Sequence, residues 1–162
     1  MTRLAIISDT HMPRGDRRLP DACVTAIRSA DLLLHAGDIA DVPTLDAIVG
    51  LGPPVHAVHG NVDDHAVRAR LPAELQITVD GVRVAMVHDA GPRTGRLLRL
   101  RRRFPQADVV VFGHSHLPLH ENQDGFTIFN PGSPTERRRA PAHTMGIGET
   151  GAGVISLRLI TV

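Results

Sequence analysis

The stretch Leu4-Ala5-Ile6-Ile7-Ser8-Asp9-Thr10-His11 joins an apolar run, readable as a buried strand over Leu4–Ser8, to polar residues just past its end. The same pairing recurs along the chain. Asp31–Ala36 is followed by Gly37-Asp38, and Val55–Val58 by Gly60-Asn61. Val82–Val87 is followed by His88, and Val109–Phe112 by Gly113-His114-Ser115-His116. Five strands therefore offer Asp, His or Asn beyond their carboxyl ends, the edge of an α/β sheet at which ligands bind.

Helical spacing separates these strands. Pro20–Ala30 places Cys23, Ile27 and Ala30 on one face, and a second helix runs from about Pro43 to Val49. Thr94–Phe104 sets Leu97, Leu100 and Phe104 at core spacing, with Arg99 and Arg101–Arg103 on its wet side. Leu75–Val79 and Val82–Val87 form a hairpin through Asp80-Gly81, residues that accept the positive φ of a two-residue turn. From Leu117 onwards the pattern changes to hairpins, with Phe126–Phe129, Thr144–Glu149 and Val154–Thr161 as strands and Asn130–Ala142 as a long loop. Residues 1–162 read as one α/β domain with a mixed sheet in two parts.

Composition narrows the chemistry. The chain has 162 residues, a net charge of +1 and one cysteine, Cys23, so no intramolecular disulfide forms and a reducing cytoplasm is the expected location. No apolar run approaches the ~18 residues of a membrane span. All 18 basic residues are Arg, which excludes Schiff-base lysine chemistry and a Walker-type loop. The four aromatics, all Phe, leave few stacking platforms for single-stranded nucleic acid. Ten His and thirteen Asp remain to carry the chemistry.

In extended backbone, residues two apart face one side, so Asp9 with His11, and His114 with His116, can address one site. Gly precedes Asp38, Asn61 and His114, allowing a sharp turn and a close approach to an ion. Mixed carboxylate, imidazole and amide donors suit Mn, Fe or Zn rather than Ca or Mg. Asp9, His11, Asp38, Asn61, His88, His114 and His116 exceed the needs of one tetrahedral ion. Two ions sharing Asp38 fit better.

In this order, Asp9-Thr10-His11, Gly37-Asp38, Gly60-Asn61-Val62-Asp63, His88 and Gly113-His114-Ser115-His116 resemble the signature of the calcineurin-like metallophosphoesterases. The length and the loop Asn130-Pro131-Gly132-Ser133-Pro134 resemble its small phosphodiesterase branch. The resemblance implies a four-layer αββα sandwich, two mixed sheets between helices. It also implies two divalent ions, Mn²⁺ first and Fe, Zn or Ni as substitutes. Asp9, His11, Asp38 and His116 would hold one ion; Asp38, Asn61, His88 and His114 the other. Asp38, Asn61 and His88 are the positions expected closest to the reaction. Two such ions, set against Asp9, Asp38 and a bridging hydroxide, leave a positive centre for in-line hydrolysis of an anionic phosphate ester.

Two positions depart from the pattern. Many members carry His directly after the metal-binding Asn, where it protonates the leaving alkoxide; here the residue is Val62, which has no proton to give. That favours good leaving groups and diesters, with His59 or His65 as substitute acids. Asp89 stands where Gly is usual and is read as an acceptor for a ligand His or as a turn residue. Asp63 is likewise expected to orient a hydrogen bond behind the ligands or to stabilise a turn. Arg14 and Arg17 are candidates to clamp the substrate phosphate. The expected partner is a small phosphodiester, with nucleic acid only as a substrate, no membrane, and a homo-oligomer through Val154–Val162. The rival is a non-catalytic protein-binding scaffold of the same fold, like the retromer subunit similar to this family.

Overall fold

The computed structural model describes all 162 residues. Ten strands form two five-stranded sheets. The first contains β1 (Thr2–Ile7), β2 (Leu32–His35), β3 (Val55–Ala57), β9 (Thr144–Gly151) and β10 (Val154–Thr161), in the order β10-β9-β1-β2-β3. The second contains β4 (Glu74–Val79), β5 (Val82–Val87), β6 (Val109–Val111), β7 (Leu119–Gln123) and β8 (Phe126–Asn130), in the order β4-β5-β6-β8-β7. β1, β2 and β3 run parallel, as do β5, β6 and β8, while the hairpin strands at the margins run antiparallel.

Strand alternation builds four layers. Leu4, Ile6, Leu32 and Leu34 face Val84, Met86, Val109, Val111 and Phe129 across the gap between the sheets. The intervening residues point outward. Ala5, Ile7 and Leu33 meet Cys23 and Ile27 of α1 (Asp21–Arg28) and Leu45 and Ile48 of α2 (Val42–Val49). Ala85, Val87 and Val110 meet Leu97 and Leu100 of α4 (Arg96–Arg103) and Phe104 just beyond it. Apolar runs with no polar interruption are what strands buried on both faces require. Each fully buried Leu or Ile contributes about 1.5–3 kcal/mol.

The αββα sandwich is the one the family resemblance implies, and the helices expected over Pro20–Ala30, Pro43–Val49 and Thr94–Phe104 are present with ends that differ by one or two residues. One helix was not legible: α3 (His65–Arg70) follows the metal-type motif at Asn61-Val62-Asp63. Its start is fixed by Asp64, whose side chain accepts the Val67 N–H at 2.8 Å. The C-terminal hairpins divide between the sheets. β7–β8 extends the second sheet, and β9–β10 completes the first. The loop from Pro131 to His143 therefore crosses from one layer to the other, over the carboxyl ends of β1 and β6.

Candidate metal centre

Backbone geometry singles out the strand ends. Asp9, His11, Asp38, His114 and His116 all adopt positive φ, between 46° and 69°. Residues with a Cβ rarely do so, and each costs of order 1 kcal/mol or more unless the surroundings impose it. The preceding glycines remove obstacles to this crowding. A Cβ on Gly60 would overlap the Asp38 carboxylate, and one on Gly113 would overlap the Ser8 hydroxyl.

Two groups of donor atoms result. Asp9, His11 and His116 form one, and Asp38, His88 and His114 the other, each with its ligand atoms within 4.8 Å of one another. Asp38 lies between them: Oδ2 is 3.4 Å from His11 Nε2 and 3.2 Å from His88 Nε2. Its other oxygen is pinned by the Val62 N–H at 3.0 Å. Asn61 Oδ1 joins the second group, 3.1 Å from His88 Nε2 and 3.0 Å from His114 Nδ1. All seven predicted ligand positions thus converge.

Hydrogen bonds behind the rings fix which nitrogens face inward. His88 Nδ1–H donates to the Ala36 carbonyl at 2.7 Å, and His116 Nδ1–H donates to the Glu136 carbonyl. In the neutral ring each Nε2 is then a lone pair aimed at the centre, the usual support for a metal-binding imidazole. His11 Nε2 and His116 Nε2 are buried without any hydrogen-bond partner. Two orphaned buried nitrogens beside carboxylate oxygens are costly in the chain alone and fit a divalent cation.

Electrostatics agree. Burial pushes the Asp9 carboxyl up to about 7, against the opposing charge of His88 and the Ser8 hydroxyl. Burial pushes His11 down and His116 down to about 4. Burial of Asp38 acts upward, but the hydrogen bond and charge of His88, with the Val62 N–H, hold it near 2. For His88, burial acts downward and is outweighed by Asp38 and Asp9, which raise it. A cation beside Asp9 would favour the carboxylate form that burial disfavours.

Outside the two groups, the other predicted residues separate. Asp63 is buried, and its carboxylate accepts the N–H groups of Asp38 (3.1 Å), Ile39 (2.7 Å), Ala40 (2.7 Å) and Gly60 (2.6 Å). It ties the loops after β2 and β3 together. Asp89 accepts the Gly91 N–H at 2.7 Å and makes no hydrogen bond to His88, so the turn role replaces the acceptor role. Arg14 lines a cavity of about 320 Å³ with His11, Ala40 and Val62, beside the centre. Arg17 is not free for substrate: its guanidinium binds the Glu136 carboxylate at 2.9 Å and the Arg14 carbonyl at 3.0 Å. His59 lines a pocket with Asn61 and His88, while His65 is exposed at the start of α3.

Glu136 has no counterpart among the predicted residues. Its Oε2 lies 3.7 Å from His11 Nε2, which adds a carboxylate beside the first group. It arrives through the Asn130–Ser133 turn. Asn130 Nδ2 donates to Gly113 O at 3.0 Å, and Ser133 Oγ donates to Asp9 O at 2.8 Å and accepts the Glu136 N–H at 2.8 Å. The Pro-Gly-Ser sequence signals a tight loop, but nothing local signals what the loop delivers.

Comparison with known proteins gives consistent relatives. Residues 2–153 match the calcineurin-like phosphoesterase superfamily domain. A probable metallophosphoesterase of Methanothermobacter thermautotrophicus is 34% identical over 137 residues, 83% of this chain and 78% of that one. Wild-type Vps29 of Entamoeba histolytica, solved with zinc, superposes with a TM-score of 0.78 at 19% identity, covering 98% of each chain. A structure described as a novel archaeal phosphodiesterase superposes with a TM-score of 0.75 at 19% identity, covering 98% of this chain and 99% of that one.

Proposed function

Because the chain belongs to the calcineurin-like phosphoesterase superfamily, we propose that it is a cytoplasmic phosphodiesterase working with two divalent ions, Mn²⁺ foremost. The observation that carries this is Asp38 Oδ2, shared at 3.4 and 3.2 Å between the inward nitrogens of His11 and His88. One carboxylate oxygen facing two donor groups is the arrangement that holds two ions side by side. Asp9, His11, Asp38 and His116 would hold one, and Asp38, Asn61, His88 and His114 the other. When bound, the ions supply an acidified water for in-line attack on phosphorus and take up charge on the phosphoryl oxygens.

The chain's own residues do the rest. The Ala36 and Glu136 carbonyls hold His88 and His116 in the tautomers that present Nε2. Asp63 fixes the backbone at Asp38 and Gly60, so the shared carboxylate keeps its place. Arg14, which lines a cavity with His11, would meet a phosphoryl oxygen. Val62, on the same wall, has no proton to give a departing alkoxide. That selects esters whose leaving group departs as an anion unaided, aryl and other activated diesters before alkyl monoesters.

The test is steady-state hydrolysis of bis(p-nitrophenyl) phosphate and p-nitrophenyl phosphate by metal-stripped protein supplied with Mn²⁺. Faster turnover of the diester, abolished in Asp38→Ala, supports the proposal. Tight metal binding without turnover of either ester would favour a non-catalytic scaffold, the role to which Val62 also lends itself.

A further inference from the structure

The two donor groups are held unequally. Asp9, His11 and His116 are all buried, whereas the second group includes His114 and is joined by Asn61, both exposed. Asn61 and its neighbour Val62 lie on the short segment between β3 and α3, outside any strand or helix. Val62 is exposed as well, so this segment has no apolar anchor at the ligand itself. Such a segment keeps one conformation only where its backbone groups are tied.

Arg68 of α3 ties it. Its Nε donates to the Asp63 carbonyl and its Nη2 to the Asn61 carbonyl, both at 2.8 Å. Nε and Nη2 share one edge of the planar guanidinium, so a single rigid fork grips both carbonyls. No other group of the chain donates to either one. Between the two carbonyls stands Val62, whose N–H pins the Asp38 carboxylate at 3.0 Å. Asn61 itself brings Oδ1 to 3.1 Å from His88 Nε2 and 3.0 Å from His114 Nδ1. The fork therefore acts on the residue that supplies one candidate ligand and on the neighbour that holds another.

This guanidinium has no competing ion pair. Arg70 pairs with Asp46 at 3.1 Å, and Arg103, which lines a cavity with Arg68, Asn61 and His88, pairs with Glu74. Arg68 has no carboxylate within 4.0 Å, and its hydrogen bonds go to these two carbonyls alone. Its helix is fixed at the start: Asp64 accepts the Val67 N–H at 2.8 Å and donates its own N–H to the Ala40 carbonyl at 3.0 Å. Asp63 and Arg68 divide the work, the carboxylate taking the Gly60 N–H and the guanidinium taking the carbonyls that follow.

We propose that Arg68 is a positioning residue for the second metal site. Its fork sets Asn61 and, through Val62, the Asp38 carboxylate, so that the ion held by Asp38, Asn61, His88 and His114 binds tightly only with the fork in place. This rests on the two-ion reading above. The first ion keeps Asp9, His11 and His116, none of which Arg68 touches.

Titration of Mn²⁺ into metal-stripped wild type, Arg68→Ala and Arg68→Lys, followed by calorimetry, tests it. Arg68 is exposed, so its truncation leaves the core intact. Loss of a partner behind a metal ligand costs about 10–100-fold in affinity. In Arg68→Ala the second equivalent should weaken by that factor while the first changes little. Arg68→Lys, which replaces the fork by a single ammonium, should recover only part of the loss. At saturating Mn²⁺, KM for bis(p-nitrophenyl) phosphate should stay at the wild-type value. Equal second-site affinity in wild type and Arg68→Ala, or equal weakening of both equivalents, overturns the assignment. A raised KM at saturating Mn²⁺ also overturns it, because Arg68 would then be a substrate contact. If wild type takes up one equivalent only, the two-ion reading fails by itself, and amide exchange in metal-free protein decides the role of the fork. Faster exchange of the Val62 N–H in Arg68→Ala, with the Leu34 N–H in β2 unchanged, supports positioning of the loop; unchanged Val62 exchange overturns it.

Discussion

Asp63 holds Asp38 in place: its carboxylate accepts the Asp38 N–H at 3.1 Å while also accepting those of Ile39, Ala40 and Gly60. One buried side chain thus satisfies four backbone donors from two loops, and both loops carry proposed metal ligands. Asp63→Ala strands those donors and should cost about 3–5 kcal/mol of stability, since each buried unsatisfied group costs ~1–3 kcal/mol. Asp63→Asn, which keeps one acceptor oxygen, should lose less. Urea denaturation midpoints on the two variants check this, with equal losses counting against the buttress.

Asp9 couples metal binding to pH. Burial lifts its carboxyl from 3.8 to about 7, so the metal-free fold gains from the protonated form at low pH and loses that gain as pH rises through about 7. A cation needs the carboxylate. Mn²⁺ affinity should therefore climb between pH 5 and 8, and binding at pH 6 should release a proton. His88, raised by Asp38 and Asp9 despite its burial, adds to that release. Titration calorimetry at pH 6 in buffers of different ionisation enthalpy reads the proton directly; buffer-independent heats would contradict the assignment.

His35, fully buried, gives the opposite pH dependence. Gly37 N–H donates to its Nδ1 at 3.2 Å, which leaves Nε2–H to donate to Thr10 Oγ1 at 3.1 Å. Burial lowers its pKa from 6.5 to about 4. The native state binds this proton more weakly than the unfolded chain, so its contribution is full above about 6.5 and is lost as pH falls through 4. The size is of order 3 kcal/mol, at about 1.4 kcal/mol per pKa unit. His35→Gln should flatten that part of the acid limb in metal-free protein; an unchanged slope from pH 6.5 to 4 would rule the effect out.

What the sequence revealed, and what it hid, follows physical lines. The proposed ligand positions are legible because strand, turn and donor are contiguous: Gly60-Asn61 and Gly113-His114 carry the backbone freedom and the chemistry in adjacent residues. Glu136 was hidden because its 3.7 Å approach to His11 crosses 125 positions and depends on Ser133 binding the Asp9 carbonyl. Arg17 looked available for substrate for the same reason, its partner Glu136 being remote in sequence. The helix His65–Arg70 was obscured because only Val67 among its residues is buried, too little apolar periodicity to read. The division of the last two hairpins between sheets also depends on tertiary pairing: β9 lies antiparallel to β1, which strand propensity does not encode.

Val62 bears on leaving-group choice. It is 39% exposed and shares a cavity wall with His11 and Arg14. Val62→His should place an imidazole where a departing alkoxide can be protonated. General-acid catalysis is worth about 10²–10⁴-fold, and even the lower end would show with an alkyl monoester. Turnover of bis(p-nitrophenyl) phosphate, whose leaving group needs no proton, should change little. No gain on the alkyl ester would mean that proton delivery does not limit this enzyme.

The proposed function requires that two ions share Asp38. Its most direct test is to titrate Mn²⁺ into metal-stripped protein and read bound equivalents and bis(p-nitrophenyl) phosphate turnover on the same samples. We predict saturation at two equivalents per chain, turnover rising with the second, and loss of both tight sites in Asp38→Ala. Saturation at one equivalent with full turnover, or two tight sites persisting in Asp38→Ala, would contradict it.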